Sequence, residues 1–308
     1  MSDKIRALDN SVKLVGKITE FEYRTGISKA KINYVSLKGV LQFGKTKAES
    51  RRFETYVQEV SSKGKESKMY EPTLAFAQNA RSVVKFGAAD ATEISIQGAL
   101  EPNDYVNSKE MLIEGVSVKA KFFNDVEGDY TGQIDIEGYI QSINPETAGE
   151  DEAETGRLKF NLLSADFFGN LVPIRNIIVP AKLKDVFEKN YTEGQTAKFF
   201  VGYEVNTKEE PKPETGGIGE RRVTEGKSYL EMVMTGADSA VDEDDERGIK
   251  DDTIRIGLVE RKAKLNEIKE KGYQGKKGTG GAATGAARTS MGSQNKPAAI
   301  DSDDEIPF

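Results

Sequence analysis

Residues 11–23, SVKLVGKITEFEY, set Val12, Leu14, Gly16 and Ile18 on one side of an extended chain. Lys13, Val15, Lys17 and Thr19 fall on the other side, and Phe21 and Tyr23 continue the run. That alternation is the period of a half-buried strand. Working outward, Ala30–Phe43 alternates Asn33, Val35 and Leu37 with Ile32, Tyr34 and Ser36, and Gly39 is expected to mark a bulge or bend. Arg51–Val60 reads two ways. Phe53, Tyr56, Val57 and Val60 fit a helical stripe, while Phe53, Thr55 and Val57 fit a strand, which is the reading we prefer. The lysine-rich loop SSKGKESK at 61–68 leads to a short helix over Glu71–Ala80, and strands follow over Glu93–Leu100 and Met111–Phe123. Five strands with a helix between the third and fourth is the order of the OB-fold, a Greek-key barrel.

The order repeats. Strands are predicted over Gly132–Ile143, Arg157–Leu163 and Leu171–Val179, a helix over Ala181–Asn190 with Leu183 and Phe187 on one face, and strands over Ala197–Val205 and Tyr229–Thr235. The expected fold class is therefore all-β dominated with minor α: two tandem OB-fold barrels, a C-terminal helix and a disordered tail. The domains read as a basic barrel at 1–125, a second barrel at 126–240, an acidic run and amphipathic helix at 241–271, a Gly-rich linker at 272–297 and an acidic tip at 298–308. Only Asn124–Asp129 separates the barrels, and the acidic stretches Glu150–Glu154 and Glu209–Glu225 read as surface insertions. The helix, from Asp252 to Lys271, carries the stripe Ile254, Leu258, Leu265 and Ile268, with i,i+4 charge pairs and Gly272 as its stop. Its stripe can pack on the second barrel or on a partner chain.

Composition removes whole classes of chemistry. The 308 residues include no Cys, His or Trp, which excludes disulfides, zinc fingers, thiol nucleophiles, histidine bases and haem ligation. No metal or other cofactor is expected. No apolar run reaches the roughly 18 residues of a membrane span, and MSDKIRALDN has no apolar signal core, so the expected location is cytoplasmic, with no membrane partner. The net charge of −7 hides a gradient. Residues 1–89 hold 17 Lys and Arg against 9 Asp and Glu, whereas 126–240 hold 12 against 21. The cationic surface sits in the first third, the footprint of a polyanion partner or of a scattered solvated surface.

Two motifs suggest catalysis and are weighed against plainer readings. Gly39–Thr46, GVLQFGKT, matches the P-loop pattern, in which Lys45 and Thr46 would meet phosphate and magnesium. Its interior, Val40 to Phe43, is too bulky to curl around phosphates, and no alternating βα units surround it. A strand entering a turn explains the same letters. The carboxylate runs Asp242–Glu246 and Glu150–Glu154 lie in polar sequence with nothing apolar to raise a pKa.

The chain ends in DSDDEIPF: Asp301, Asp303, Asp304 and Glu305, then Ile306, Pro307 and Phe308. A terminal carboxylate, a ring and four charges on a flexible leash suit docking into a small apolar pocket with a basic rim. This DDEIPF end, after a Gly-rich linker and an OB-type region, resembles the tip of bacterial-type single-stranded DNA-binding proteins. SKGKESKMYE at Ser62–Glu71 and VKAKFFNDV at Val118–Val126 are similar to proteins of this role encoded by phages of Gram-positive hosts. The resemblance implies a non-enzymatic protein that coats single-stranded DNA in replication, recombination and repair. It also implies recruitment of such proteins through Asp301–Phe308, in the bacterial host cytoplasm if phage-encoded. The bacterial relatives carry one barrel per chain and stack bases on Trp, which this chain lacks. Two barrels per chain would give four per homodimer, the count of the family's usual tetramer; a monomer that joins its neighbours only along DNA fits the sequence equally well.

Sequence-tolerant binding of single strands needs cations along the backbone path and rings under the bases. Lys17, Lys29, Lys31, Arg51, Arg52, Lys63, Lys65 and Lys68 interleave with Tyr23, Tyr34, Tyr56 and Tyr70, and these form the candidate site. Tyr34 and Tyr56 are the favoured stackers because each shares a strand with cations; each ring could equally face the core. Phe76, Phe122 and Phe123 are assigned to core. The rivals are a P-loop NTPase and an RNA-binding or protein-bridging module.

Overall fold

In the computed structural model β1 (Asn10–Ile27) is long enough to serve two partners. Its first part pairs antiparallel with β4 (Glu93–Pro102), and its second part with β2 (Asn33–Gln42). The described residues are 5–61, 64–126, 128–148, 153–208 and 227–273. Lys63, most of the two predicted acidic insertions, nearly all of the linker and the whole tip lie outside them. β3 (Ser50–Gln58) pairs with β2 and runs parallel to β7 (Val116–Asn124) at Phe53–Val118, and β7 pairs with β4, which closes the barrel. The ambiguous Arg51–Val60 stretch is thus a strand. The predicted strand over Met111–Phe123 is two elements, because a small hairpin, β5 (Tyr105–Val106) and β6 (Leu112–Ile113), precedes β7.

Gly39 is neither a bulge nor a bend. It pairs without interruption with Phe21 on one side and Phe53 on the other, and a Cβ there would lie 2.6 Å from the Phe53 ring. The glycine makes room for Phe53, which is 1% exposed at the barrel centre. The bulge lies across the ladder in β1, between Ile18 and Glu20. The P-loop reading fails on the same geometry: Gly39 to Gln42 is strand, and the Phe43 amide bonds to the Glu49 carbonyl across a turn. No helix starts at Lys45, and the Thr46 amide and hydroxyl are spent on the Glu49 carboxylate at 2.8 and 3.0 Å. A carboxylate occupies the place a phosphate would need.

α1 (Tyr70–Asn79) and the short α2 (Val83–Phe86) connect β3 to β4, and α1 buries Tyr70, Thr73 and Ala77. The second barrel repeats the plan with β8 (Thr131–Ala148), β9 (Ala153–Ala165), β10 (Leu171–Val179), a 3-10 turn at Ala181–Leu183 with α3 (Lys184–Asn190), β11 (Thr196–Lys208) and β12 (Lys227–Ala237). β8 pairs with both β9 and β11, and β10 runs parallel to β12, so this sheet closes as the first does. Phe187 of α3 enters the barrel 5.1 Å from Phe160 and, with Phe199, is fully buried.

β1 also pairs with β8, from Asn10–Ile136 to Val15–Thr131, and this makes the two barrels one continuous sheet. Residues opposite each other in a ladder point the same way. Val12 and Ile134 are opposite and both buried, so the outer faces of the two barrels lie on the same side of that sheet. α4 (Asp251–Lys271) has Asp251 and Asp252 in its first turn and Gly272 at φ 62 beyond its last. Its stripe packs on the second barrel: Ile254 and Leu258 join Ile5, Leu8, Leu163, Ala165, Leu171, Ile249 and Tyr139 in a separate apolar cluster.

Candidate nucleic-acid interface

In β2 the buried row is Val35, Leu37, Gly39 and Leu41, so Tyr34, Ser36, Lys38 and Val40 form the outer row. Register then fixes their neighbours. Tyr34 lies between Gly26 and Gln58, Ser36 between Arg24 and Tyr56, Lys38 between Glu22 and Glu54, and Val40 between Glu20 and Arg52. The two favoured rings meet: Tyr34 and Tyr56 have centroids 5.3 Å apart at an interplanar angle of 31°, and Tyr56 is 54% exposed. Gly26 supplies the floor, since a Cβ there would touch the Tyr34 ring at 3.0–3.1 Å. Gln58 donates to the Tyr56 hydroxyl at 3.1 Å and helps hold that ring.

Charge on this face is graded. Its middle is balanced, with Arg24, Lys38 and Arg52 beside Glu20, Glu22 and Glu54. Burial pushes the Glu54 carboxyl up, but the hydrogen bonds and charges of Lys119 and Lys38 outweigh it and hold the carboxyl below its ordinary range. Lys119 donates to it at 2.6 Å and Lys38 lies at 3.3 Å. Arg24 and Arg52 are exposed and carry no hydrogen bond or ion pair among the described residues. The cationic surplus lies at the Tyr34 end. Lys29 and Lys31 form the exposed tip of the β1–β2 turn, closed by the Ser28 amide on the Ile32 carbonyl, with Lys31 left-handed at φ 61. Lys65 and Lys68 are exposed on the loop leaving β3 just past Gln58, the residue opposite Tyr34.

The other candidates do not join this face. Arg51 is one residue from Arg52 and therefore belongs to the inner row. Its guanidinium lies 5.7 Å from the ring centroid of Tyr203 in the second barrel and donates to the Val116 carbonyl at 3.4 Å. Lys17 is tied to Glu93 at 3.1 Å and to the Ala88 carbonyl at 2.9 Å, at the opposite end of the sheet. Tyr23 lies opposite Leu37, on the other side of the ladder from Tyr34, 44% exposed with its ring 6.3 Å from Phe21. Tyr70 is a core residue, 8% exposed, because it begins α1 and turns inward with Thr73 and Ala77. Of the rings assigned to core, Phe76 and Phe123 stack at 4.2 Å against it, but Phe122 is 50% exposed, since a register shift at Gln97–Gly98 turns it out. The sequence reading missed Arg24, Lys38 and Gln58. Extending the alternation of β2 by one position from Leu37 would have found Lys38; Arg24 and Gln58 required the pairing register.

The corresponding face of the second barrel is covered where α4 crosses it. Leu163, Ala165 and Leu171 are at most 4% exposed beneath α4 and the Ile5–Leu8 segment. The Tyr139 hydroxyl donates to Asp251 at 2.7 Å; burial, with that carboxylate beside it, pushes the phenol up to about 12. Beyond β8, the groove between barrels is lined by Phe43, Phe200 and Tyr203 together with Glu49, Asp135 and Glu204. Among the described residues there is no cluster of His, Cys, Asp or Glu able to hold a metal, and no helix is long and apolar enough to cross a membrane.

Solved structures with a partial likeness include a deletion variant of the single-stranded DNA binding protein from Thermus aquaticus, at TM-score 0.48 and 10% identity, covering 78% of this chain and 98% of that one. The wild-type Thermus aquaticus protein gives 0.46 and 10%, covering 79% and 98%. A Replication Protein A heterotrimer bound to ssDNA gives 0.18 and 8%, covering 85% and 70%. No curated protein sequence matches the chain. The YorF family model matches residues 9–271, which takes in both barrels and α4, and the chain belongs to the YorF family.

Proposed function

We propose that the protein binds single-stranded DNA without sequence preference on the outer face of β1, β2 and β3. The observation that carries this reading is the Tyr34–Tyr56 ring pair, set on an open sheet face beside Arg24, with Arg52 two rows further along and Lys29, Lys31, Lys65 and Lys68 at the Tyr34 end. Rings of this kind take the π-faces of any base, and the cations take phosphates, which gives affinity without sequence readout. No step of bond making is needed. The wider role is coating and protecting exposed strands in replication, recombination and repair, in the host cytoplasm, with Asp301–Phe308 docking partner proteins.

The test is titration of a labelled oligo-dT, with oligo-U and duplex DNA as competitors. Six cations, each neutralising a phosphate at about −0.7 per contact, give a log–log salt slope of about −4. Tyr34→Ala and Tyr56→Ala should each weaken binding by about 1–3 kcal/mol, and together by less than the sum because the rings support each other. Preference for oligo-U supports the RNA reading instead, and a salt-independent affinity defeats both.

A further inference from the structure

The connection between β4 and β7 is the loop that, with the β1–β2 turn, borders the ligand face of an OB-fold. Here it is folded and held. β5 and β6 pair at Tyr105–Ile113 and Val106–Leu112, and Asn107 closes the tip by accepting the Lys109 and Met111 amides at 3.0 and 2.9 Å. Tyr105 and Met111 are left 48% and 45% exposed. The hairpin's root, the Asn103 amide on the Gly115 carbonyl, adjoins Val116, whose carbonyl accepts from Arg51 beside Arg52. The hairpin therefore rises beside the start of β3.

What fixes its posture comes from far along the chain. Asp104 and Glu114 flank the hairpin, and Arg261 of α4 reaches both, at 2.9 and 3.4 Å. The side chains of Arg261 and Asp104 are only 11% and 8% exposed. Arg175 of β10 meets the same Glu114 oxygen at 2.8 Å. A guanidinium shared by two carboxylates is directional, and swinging the hairpin away would strand the buried charges of Arg261 and Asp104.

We infer that Arg261 is a positioning residue for the proposed DNA site. It clamps the β5–β6 hairpin to α4 so that Tyr105 stands ready as a further stacking ring at the β3 end of the face. An unclamped hairpin would have to be ordered by each binding event, a cost the clamp removes in advance. The inference rests on the single-stranded DNA reading.

The experiment is a double-mutant cycle in the full chain, with labelled oligo-dT as probe and hydrogen exchange across 103–115 as a second readout. Tyr105→Ala should weaken binding about tenfold in the wild-type background and by less than about twofold in Arg261→Met, where the ring is no longer held. Arg261→Met should also speed exchange in the hairpin while β2 and β3 stay protected. Should Arg261→Met not fold, Arg175→Met, a half-exposed residue contacting Glu114 alone, carries the same cycle with a partial loss of the Tyr105 factor expected. An equal Tyr105 factor in both backgrounds overturns the positioning role and leaves DNA binding standing. A wild-type chain that does not bind oligo-dT overturns the DNA reading and this inference with it.

Discussion

Arg51 and Arg52 are adjacent in sequence, carry the same charge and fall in the same strand, yet they should give opposite phenotypes. Arg52 lies in the outer row of β3, opposite Val40, whereas Arg51 reaches under the barrel to the Tyr203 ring at 5.7 Å. If Arg52 meets one phosphate, Arg52→Ala should flatten the log–log salt slope by about 0.7, which at 0.1 M salt is about fivefold in affinity, or roughly 1 kcal/mol. Its melting temperature should not move. Arg51→Ala should leave the slope unchanged and remove a cation–π contact worth about 1 kcal/mol, lowering the melting temperature by about 2–4 °C for a unit of this size. Fluorescence anisotropy at four or more salt concentrations, with calorimetry on the same samples, measures both. Equal slope changes in the two variants would refute the assignment of faces, because a helical β3 or a register slipped by one residue would present Arg51 to the ligand instead.

Arg157 sits between Glu146 and Glu231, whose side chains are 6% and 8% exposed, so Arg157→Met should destabilise the chain by about 3 kcal/mol in urea unfolding, through two stranded carboxylates. Burial pushes the Glu146 carboxyl up, but hydrogen bonds from Arg157 and Thr155 and the charges of Arg157 and Lys159 hold it below its ordinary range. A depressed folded value means that its stabilisation is complete above the unfolded carboxylate pKa of about 4.3 and is lost as pH falls further; Glu146→Gln should blunt that acid limb. Removal of Asp301–Phe308 should leave oligo-dT affinity unchanged or raise it, most at low salt where screening is weakest, and should abolish capture of partner proteins. A loss of DNA affinity on that truncation would count against the docking role.

How much of this was legible in the sequence depended on whether a signal was local. The strand order came from period-two alternation, which each segment carries by itself, and α4 came from its apolar stripe, its i,i+4 charge pairs and its terminal glycine. The fate of Arg51 against Arg52 was not local. A segment that fits both a helical stripe and a strand has no phase until β2 and β7 pair with it on either side. Tyr70 follows a solvated lysine loop and looks exposed by association, yet the chain turns into α1 at that residue and carries the ring inward. The β5–β6 hairpin escaped because its left-handed residue is Glu110 at φ 59, where a reader looks for Gly or Asn. The stripe on α4 showed that the helix would be covered, but not that it would do the covering.

On the DNA reading, that last point bears on how two barrels of one plan would differ in role. Because Val12 and Ile134 point inward together across the β1–β8 ladder, a strand of DNA crossing β3, β2 and β1 would next meet the outer face of β8, β9 and β10. There it would find Leu163, Ala165 and Leu171 sealed under Ile254 and Leu258. That covered patch is aliphatic and offers phosphate nothing, and uncovering it would expose apolar surface to water. The alternative route, along the groove past β8, runs between Glu49, Asp135 and Glu204, which repel phosphate. On the DNA reading the path therefore stops at the β1–β8 junction, and the footprint is that of one barrel, about 4–16 nucleotides, rather than two. The second barrel then serves binding at one remove, as the platform from which α4 and β10 hold the hairpin of the first through Arg261 and Arg175.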